Sequence, residues 1–298
     1  MNPTWEREGV QLYLGDCRDV LPHLSGVDAV VTDPPYAEID RDYGRFTEEE
    51  WHDLMNFVVP ECRRLISSGS AVFILQPNSE RVGRMRPWLW EFMAKWSRDW
   101  NMVQDAWWWN HAAPPNKHAN RDVGLMRPSV KACVWLGSSN CFRNQDAALW
   151  DESEANKAQR LQQRFTRGYK PYGGIMDTER CLSACVERGG VTPFNLLPVA
   201  NANSTDSGGA CGHHAATPLP VAEWWVKYIS PIDGVVLDPF CGSGTMAIAS
   251  IRQNRGFVGV EKHEPYFQIA KQRIINELER MPLFKEPKQE QITMFGGE

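Results

Sequence analysis

Five short apolar runs have the length and the aliphatic content of buried strands. Three lie near the N-terminus, at Val10–Leu14, Ala29–Thr32 and Ala71–Leu75, and two near the C-terminus, at Gly234–Leu237 and Phe257–Val260. Apart from Gln11 and Thr32 these runs contain no polar side chain, and unbroken apolar stretches of this length are typical of strands that are covered on both faces. The pattern therefore predicts the interior strands of a sheet.

Stretches with apolar side chains at helical spacing separate these runs. We predict helices over residues 47–65, 80–98 and 220–229, and two more that end near residues 254 and 280. The first of them begins with Thr47 and Glu50, whose three-residue spacing forms a capping box. Strands that alternate with helices predict an α/β fold with a mostly parallel, doubly wound sheet.

The middle of the chain differs from both ends. Val103–Asn110 and Lys131–Gly137 have the pattern of a strand pair. Residues 141–212 are rich in Gly, Asn and Ser and show no regular strand–helix rhythm, so we interpret them as an inserted lobe. Residues 283–298 follow the last helix and are expected to form a flexible tail.

Composition and charge narrow the function classes. The 298 residues include 42% apolar and 23% charged side chains, which is typical of a folded globular protein. No apolar stretch approaches the roughly 18 residues of a membrane span, and the N-terminus has no signal-peptide pattern. We therefore expect no membrane partner and reduced cysteines. The net charge of -5 argues mildly against a nucleic-acid partner.

A glycine-rich turn follows the fourth apolar run. Residues 238–245 read DPFCGSGT, and Glu261 follows the next run. Glycines between a strand and a helix let a ligand approach the backbone, and an acidic residue after the next strand can bind a ribose hydroxyl. The turn is neither a P-loop, since no Lys follows Gly244, nor a dinucleotide GxGxxG, since residue 247 is Ala.

The second apolar run ends in Asp33-Pro34-Pro35-Tyr36. A carboxylate can accept a hydrogen bond from an exocyclic amino group, and the prolines stiffen the turn while leaving their carbonyls free to accept another. Tyr36 offers a flat face on which a base can stack. The set is suited to orienting an amino nitrogen for attack.

Together, DPPY at 33–36 and the FxGxG turn within 238–245 resemble the S-adenosyl-L-methionine-dependent amino-methyltransferases of DNA. DPPY precedes FxGxG by about 200 residues, an order that resembles the β group of that family. The resemblance implies a Rossmann-like methyltransferase fold with a circularly permuted sheet. It also implies four segments: a catalytic part at 1–140, a target recognition region at 141–212, a cofactor-binding part at 213–282 and the tail at 283–298.

The same resemblance implies where the cofactor binds. Gly15-Asp16-Cys17 matches the acidic turn that contacts the cofactor's adenine, and Glu261 matches the acid on the ribose hydroxyls. His213–Pro218 resembles the segment that contacts the methionine end, although the usual lysine is absent there. The expected cofactor-binding residues are Asp16, Cys17, Asp33, Thr217, Asp238, Pro239, Phe240, Cys241, Gly242, Ser243, Gly244, Thr245, Glu261 and Lys262.

The resemblance implies direct methyl transfer to a flipped-out base. Asp33 and the Pro34 carbonyl would accept hydrogen bonds from the amino group while the base stacks on Tyr36, so the expected catalytic residues are Asp33, Pro34, Pro35 and Tyr36. Carbon-5 methylation of cytosine is disfavoured because the chain has no Pro-Cys dipeptide.

DPPY goes more often with adenine and SPPY with cytosine in this family, so we expect N6-adenine methylation of duplex DNA. N4-cytosine methylation is the alternative. Relatives that methylate RNA or protein amides usually carry NPPY, and Asp33 argues against them. A catalytically silent DNA-binding or clamp-associated module is a further alternative.

A basic stretch in the inserted lobe makes a nucleic-acid partner compatible with the negative net charge. Residues 155–175 carry five cations and no acid, and the first four cations recur at helical spacing. We expect them to neutralise DNA phosphates, although a solvated charged face is the alternative. The expected DNA-binding residues are Lys157, Arg160, Arg164, Arg167 and Lys170.

The tail and the cysteines give weaker signals. Gln291–Phe295 reads QITMF and resembles the peptide that binds bacterial sliding clamps. Cys181, Cys185, Cys211 and His213 are spaced too irregularly for a zinc site, so we expect no metal. The resemblance also implies a bacterial or phage-encoded protein of the cytoplasm, associated with the nucleoid, for which a homodimer is an open alternative.

Overall fold

The computed structural model describes most of both ends of the chain and part of its middle. The described residues are 1–39, 44–66, 68–76, 85–111, 129–149, 187–190, 192–200 and 217–280. Within them, ten strands join in one sheet. The strands are β1 (Trp5–Arg7), β2 (Val10–Leu14), β3 (Ala29–Thr32), β4 (Ser70–Leu75), β5 (Met102–Gln104), β6 (Trp107–Trp109), β7 (Val130–Gly137), β8 (Leu196–Pro198), β9 (Val235–Asp238) and β10 (Gly256–Glu261).

Helices cover both faces of this sheet. The described α-helices, numbered in chain order, are α1 (Cys17–Val20), α2 (Glu48–Leu65), α3 (Trp88–Asp99), α4 (Leu219–Ile229), α5 (Thr245–Arg252) and α6 (Glu264–Arg280). One apolar cluster lies under α4, α5 and α6, and a second lies under α1, α2 and α3. Consecutive residues of β3 alternate between the two: Val30 packs in the second cluster and Val31 in the first.

Five neighbouring parallel strands form the centre of the sheet, in the order β2-β10-β9-β3-β4. All four residues of Ala29–Thr32 and all six of Ser70–Leu75 are buried, as the unbroken apolar runs predict. Strands from the N-terminal and C-terminal parts interleave, because β3 pairs with β9 and β2 pairs with β10. The prediction of an α/β Rossmann-like sheet is confirmed.

Antiparallel strands extend the sheet at both sides. β1 pairs with β2, while β7 pairs with β4 and with the short strands β5 and β6. β8 pairs in parallel with β6, and Leu197 on β8 is buried in the core cluster with Ala148. These two residues belong to the segment predicted as an inserted lobe; the boundaries of that lobe stay a prediction.

Two predicted elements differ from the structure. Residues 85–87 precede the helix that was expected over 80–98, because Pro87 takes the N-cap position, and residues 80–84 lie outside the described ranges. The run Val103–Asn110 is not one strand. It divides into β5 and β6, because a bulge between Met102 and Gln104 shifts the register against β7 and the Ala106 carbonyl accepts a hydrogen bond from Cys133 N at 2.8 Å.

The other predicted helices are confirmed within a residue or two of their expected ends. Thr47 caps α2, and its hydroxyl and the Glu50 carboxylate form the reciprocal capping box. Among the helices in the described ranges, none combines the length and the apolar content that a membrane span requires.

Candidate active site

A cavity of about 370 Å³ opens at the carboxyl ends of β2, β3, β9 and β10. Parallel strands bring the loops that follow them to one edge of the sheet, and ligands of open α/β sheets bind at that edge. Of the residues that the structure describes, 24 line the cavity, among them Gly15–Arg18, Asp33–Tyr36, Thr217, Asp238–Ser243, Thr245 and Glu261–His263. Both predicted motifs therefore border one cavity.

The glycine-rich turn between β9 and α5 has the backbone that its sequence predicts. Gly242 and Gly244 have φ angles of 53° and 81°, in the left-handed region that favours glycine. A Cβ on Gly244 would lie 3.1 Å from Cβ of Ala270 on α6, so the turn packs directly against that helix. Gly244 itself does not line the cavity; it holds the turn against α6.

Glu261 holds this turn from the end of β10. Its two carboxylate oxygens accept hydrogen bonds from the backbone N–H of Gly242 and of His263, both at 2.7 Å. Burial raises the pKa of the Glu261 carboxyl, while the two N–H donors oppose that shift. Each oxygen keeps a lone pair for a further donor such as a ribose hydroxyl.

Asp238 lies at the end of β9, beneath the turn. The hydroxyl of Thr32 donates to its Oδ1 at 2.6 Å, and Phe240 N donates to the same oxygen at 3.0 Å. Burial raises the pKa of Asp238 to about 7, and these two hydrogen bonds counteract part of the shift. The side chain links the two halves of the cavity floor.

Asp16 lies at the opposite wall, after β2. It accepts hydrogen bonds from the Arg18 guanidinium at 2.7 and 2.9 Å and from Lys262 Nζ at 3.0 Å. The hydrogen bond from Arg18 is the main cause that holds the pKa of Asp16 well below its usual range. Cys17 beside it is buried, which raises the pKa of its thiol to about 12.

Apolar and aromatic side chains complete the cavity. Phe46, Leu54, Phe240, Met246, Val260 and Tyr266 line it, and most of them were not predicted. Most of these residues lie outside the two motifs, and their sequence shows only that they are apolar. They give a flat ligand ring an apolar wall beside the polar groups of Asp16 and Glu261.

The DPPY motif continues directly from β3. Its turn is fixed by Trp51 of α2, whose indole N–H donates to the Pro35 carbonyl at 2.7 Å. Tyr36 is largely buried, and its hydroxyl donates to Oδ1 of Asp33. The hydroxyl of Thr217, which precedes α4, donates to Oδ2 of the same carboxylate. Thr217 thus contacts the DPPY motif as well as the cavity.

Lys131 was missed by the sequence analysis. It belongs to β7, and its Nζ lies 2.8 Å from Oη of Tyr36 and 3.5 Å from Oδ2 of Asp33. Its cation also lies 4.7 Å from the centre of the Trp108 ring. A lone lysine in an apolar strand gives no sequence signal for this contact, which arises from the pairing of β7 beside β4.

Several predicted residues lie outside the described ranges. They are the basic residues Lys157, Arg160, Arg164, Arg167 and Lys170, the cysteines 181, 185 and 211 with His213, and the tail segment Gln291–Phe295. Within the residues that the structure does describe, no group of three or more His, Cys, Asp or Glu side chains is placed to hold a metal ion.

The site fits an adenosine-containing methyl donor. It combines a glycine-rich turn, the Glu261 carboxylate with spare acceptor capacity, and an apolar wall. Its volume lies within the roughly 300–1,000 Å³ of small-molecule sites.

Known proteins resemble this chain along most of its length. Type II methyltransferase M.ScaI from Streptomyces caespitosus is 26% identical over 95% of this chain and 86% of its own. Type II methyltransferase M.PvuII from Proteus hauseri is 21% identical over 92% of this chain and 86% of its own. Both matches span the two motifs and the segment between them.

Solved structures share the fold. The PvuII DNA methyltransferase, described as cytosine-N4-specific, superposes with a TM-score of 0.68 at 16% identity and covers 94% of each chain. The M1.HpyAVI–SAM complex has a TM-score of 0.56 at 18% identity, over 89% of this chain and 98% of the other. At these identities the likeness establishes the fold.

The sequence profile of one family matches residues 27–272, which include DPPY, the glycine-rich turn and Glu261. That family is the DNA methylases, N6_N4_Mtase. The match covers more than half of the chain and agrees with the sheet and the cavity described above, so the chain belongs to the DNA methylase family.

Proposed function

We propose that this DNA methyltransferase methylates the exocyclic N6 amino group of adenine in duplex DNA, with S-adenosyl-L-methionine as methyl donor. The observation that carries the proposal is the joint position of Asp33–Tyr36 and the glycine-rich turn on one cavity. One motif is suited to an amino group and the other to a nucleoside, so we expect the two ligands to bind side by side.

The donor fits the half of the cavity built by β2, β9 and β10. Glu261 would accept hydrogen bonds from the ribose hydroxyls, and Asp16 with the apolar wall around Tyr266 would contact the adenine ring. Thr217 lies near the methionine end, beside Asp33. When bound, the donor supplies a methyl group carried on a sulfonium sulfur. The sulfur keeps the electron pair of the C–S bond that breaks.

Asp33 and Tyr36 act on the target base. The base leaves the duplex and stacks on the Tyr36 ring, while Asp33 and the Pro34 carbonyl accept hydrogen bonds from the amino group. These acceptors orient the nitrogen lone pair, and the nitrogen releases one proton to solvent water after the new N–C bond has formed. Positioning supplies most of the rate enhancement, because the methyl group is already activated.

The base that is methylated distinguishes two candidate functions. DPPY favours adenine by its resemblance to the adenine enzymes, whereas N4-cytosine methylation is the alternative, since the PvuII enzyme with the same fold is cytosine-specific. Expression in a methylation-free host, followed by long-read sequencing, identifies the modified base and its sequence context. Modified cytosine without modified adenine would overturn the adenine proposal, and no modification would overturn the activity.

Asp33→Ala gives the matched test of mechanism. The variant should lose at least about 100-fold in kcat, since it lacks the side-chain acceptor for the amino group. Asp19→Ala, in the nearby helix α1 but absent from the cavity lining, is the control. An Asp33→Ala enzyme with near wild-type kcat would contradict the proposed role.

DNA binding is proposed to depend on the basic residues of 155–175. Replacing Arg160 and Arg164 with Ala should reduce the slope of log K against log salt by about 1.8, since each phosphate contact contributes about 0.9. An unchanged slope would exclude phosphate contacts by Arg160 and Arg164.

Two further proposals rest on similarity. Because relatives of this chain are named type II methyltransferases, we propose a role in restriction–modification. We also propose that Gln291–Phe295 binds a sliding clamp, which a titration of the tail peptide against a clamp tests.

A further inference from the structure

Three donors converge on the carboxylate of Asp33, and they divide unequally between its oxygens. The Tyr36 hydroxyl donates to Oδ1. The Thr217 hydroxyl donates to Oδ2, and Lys131 Nζ lies 3.5 Å from that same oxygen. Oδ2 therefore contacts two groups from other elements, whereas Oδ1 contacts a residue of its own motif.

Lys131 is held firmly in this position. It occupies the site-facing side of β7, next to Ala132, which pairs with Leu75 at the end of β4. Its ammonium lies 4.7 Å from the Trp108 ring centre and 5.2 Å from that of Tyr36. Trp108 is buried and its indole N–H is bound to the Val199 carbonyl at 2.8 Å, so the aromatic support under the cation is itself fixed.

The same ammonium reaches the second catalytic side chain. Lys131 Nζ donates to Oη of Tyr36 at 2.8 Å, while the Tyr36 hydroxyl donates to Asp33. When a base stacks on the Tyr36 ring and its amino group binds Asp33, the Tyr36 hydroxyl has to release Oδ1. After the Tyr36 hydroxyl has released Oδ1, Lys131 is still its hydrogen-bond partner, and Oδ2 keeps its contacts to Thr217 and Lys131.

We propose that Lys131 is a positioning residue of the methyl-transfer site: with Thr217 it holds Oδ2 of Asp33, so that Oδ1 is the oxygen that receives the target amino group. The inference rests on the proposed amino-methyltransferase function. Lys131 acts through Asp33 and Tyr36 and does not itself bind the methyl donor. Its loss removes one of the two contacts to Oδ2 described here and the cationic partner of the Tyr36 hydroxyl, so the carboxylate is held less firmly.

The test is Lys131→Met, an unbranched side chain as long as the carbon chain of Lys131, which removes the ammonium and with it the contact of the cation to Trp108. The substrate is a duplex oligonucleotide that carries the methylation site mapped for the wild type. We expect kcat to fall by roughly 10- to 100-fold, with the KM for DNA within about twofold of wild type, because a displaced acceptor slows the transfer step. Lys131→Arg, which retains a cation, should recover much of the loss.

Lys95→Met is the matched control. Lys95 also places its cation over a tryptophan, 4.7 Å from the ring of Trp96, but it lies on the surface of α3 away from the cavity. Its kcat should equal that of the wild type. Calorimetric titration with S-adenosyl-L-methionine verifies that each variant is folded; if Lys131→Met is not, Lys131→Gln takes its place.

The outcomes separate the two proposals. A wild type that methylates no DNA refutes the proposed function. If wild type is active and Asp33→Ala is inactive, then wild-type kcat in Lys131→Met overturns the role of Lys131 alone. A raised KM with unchanged kcat would also overturn it, because the lysine would then bind DNA. A kcat loss that Lys131→Arg does not relieve at all would overturn the role of the charge.

Discussion

The hydroxyl of Thr32 donates a 2.6 Å hydrogen bond to Oδ1 of Asp238, across 206 residues of sequence. Thr32 ends β3, which leads into the DPPY motif, and Asp238 ends β9, which leads into the glycine-rich turn. Both side chains are buried. This one contact therefore links the strand that leads into the DPPY motif to the strand that leads into the glycine-rich turn.

The buried Asp238 makes stability depend on pH. Its pKa is about 7 in the folded protein and 3.8 ordinarily, so between these values the folded state holds a proton that the unfolded state has lost. The free energy of unfolding should fall as pH rises through this window, by about 1.4 kcal/mol per pH unit from this group. Asp238→Asn should remove that contribution, which urea denaturation at pH 5, 6 and 7 measures.

Thr32→Val gives the companion measurement. It removes a hydrogen bond that lowers the pKa of Asp238, so the window of falling stability should extend to higher pH than in the wild type. Equal pH slopes in wild type and Asp238→Asn would show that Asp238 is not protonated in the folded state.

Replacing Gly244 of the glycine-rich turn should destabilise the protein for two reasons that can be measured separately. Gly244→Ala places a Cβ 3.1 Å from that of Ala270 and a side chain on a residue with φ of 81°. The left-handed conformation costs roughly 1–2 kcal/mol in a non-glycine residue, and the close contact adds to it. Gly9→Ala is the control, since Gly9 has φ of 79° but no heavy atom within 4 Å of the added Cβ.

The difference between the two glycine variants measures the packing against α6. We expect Gly244→Ala to lose more unfolding free energy than Gly9→Ala and to weaken binding of S-adenosyl-L-methionine in calorimetry. Equal losses of unfolding free energy would show that α6 shifts away from the added Cβ without destabilising the protein.

A secondary-structure element can be predicted from the sequence when its own residues determine it, and it cannot when contacts to distant residues determine it. The central strands follow from the sequence because residues 29–31 and 71–75 are apolar without interruption, which is typical of a strand covered on both faces. The division of 103–110 into β5 and β6 does not follow, because the bulge is set by register against β7. Periodicity along one segment contains no information on its partner.

The site shows the same division. Asp33, Tyr36, Asp238 and Glu261 stand in or beside short motifs whose residue types are typical of amino-group and nucleoside sites, so sequence alone indicates them. Lys131 and Trp51 act on the motif from other elements, across 98 and 16 residues. Their role depends on strand order and helix packing. Arg18 contacts Asp16 from two residues along the chain, whereas Lys262 reaches Asp16 only because β2 and β10 are neighbours.

The indole of Trp51 is expected to control the shape of the DPPY turn. Trp51→Phe keeps an aromatic ring in the buried cluster of α2 but removes the N–H that donates to the Pro35 carbonyl at 2.7 Å. A buried carbonyl without its donor costs roughly 1–3 kcal/mol, and the turn can shift to relieve it. We expect a lower melting temperature and a kcat reduced several-fold, while calorimetric affinity for S-adenosyl-L-methionine stays near wild type because the donor half of the cavity is untouched. Trp96→Phe in the same aromatic cluster is the control. If both variants lose stability equally and retain full kcat, the indole contributes packing to the cluster and does not shape the catalytic turn.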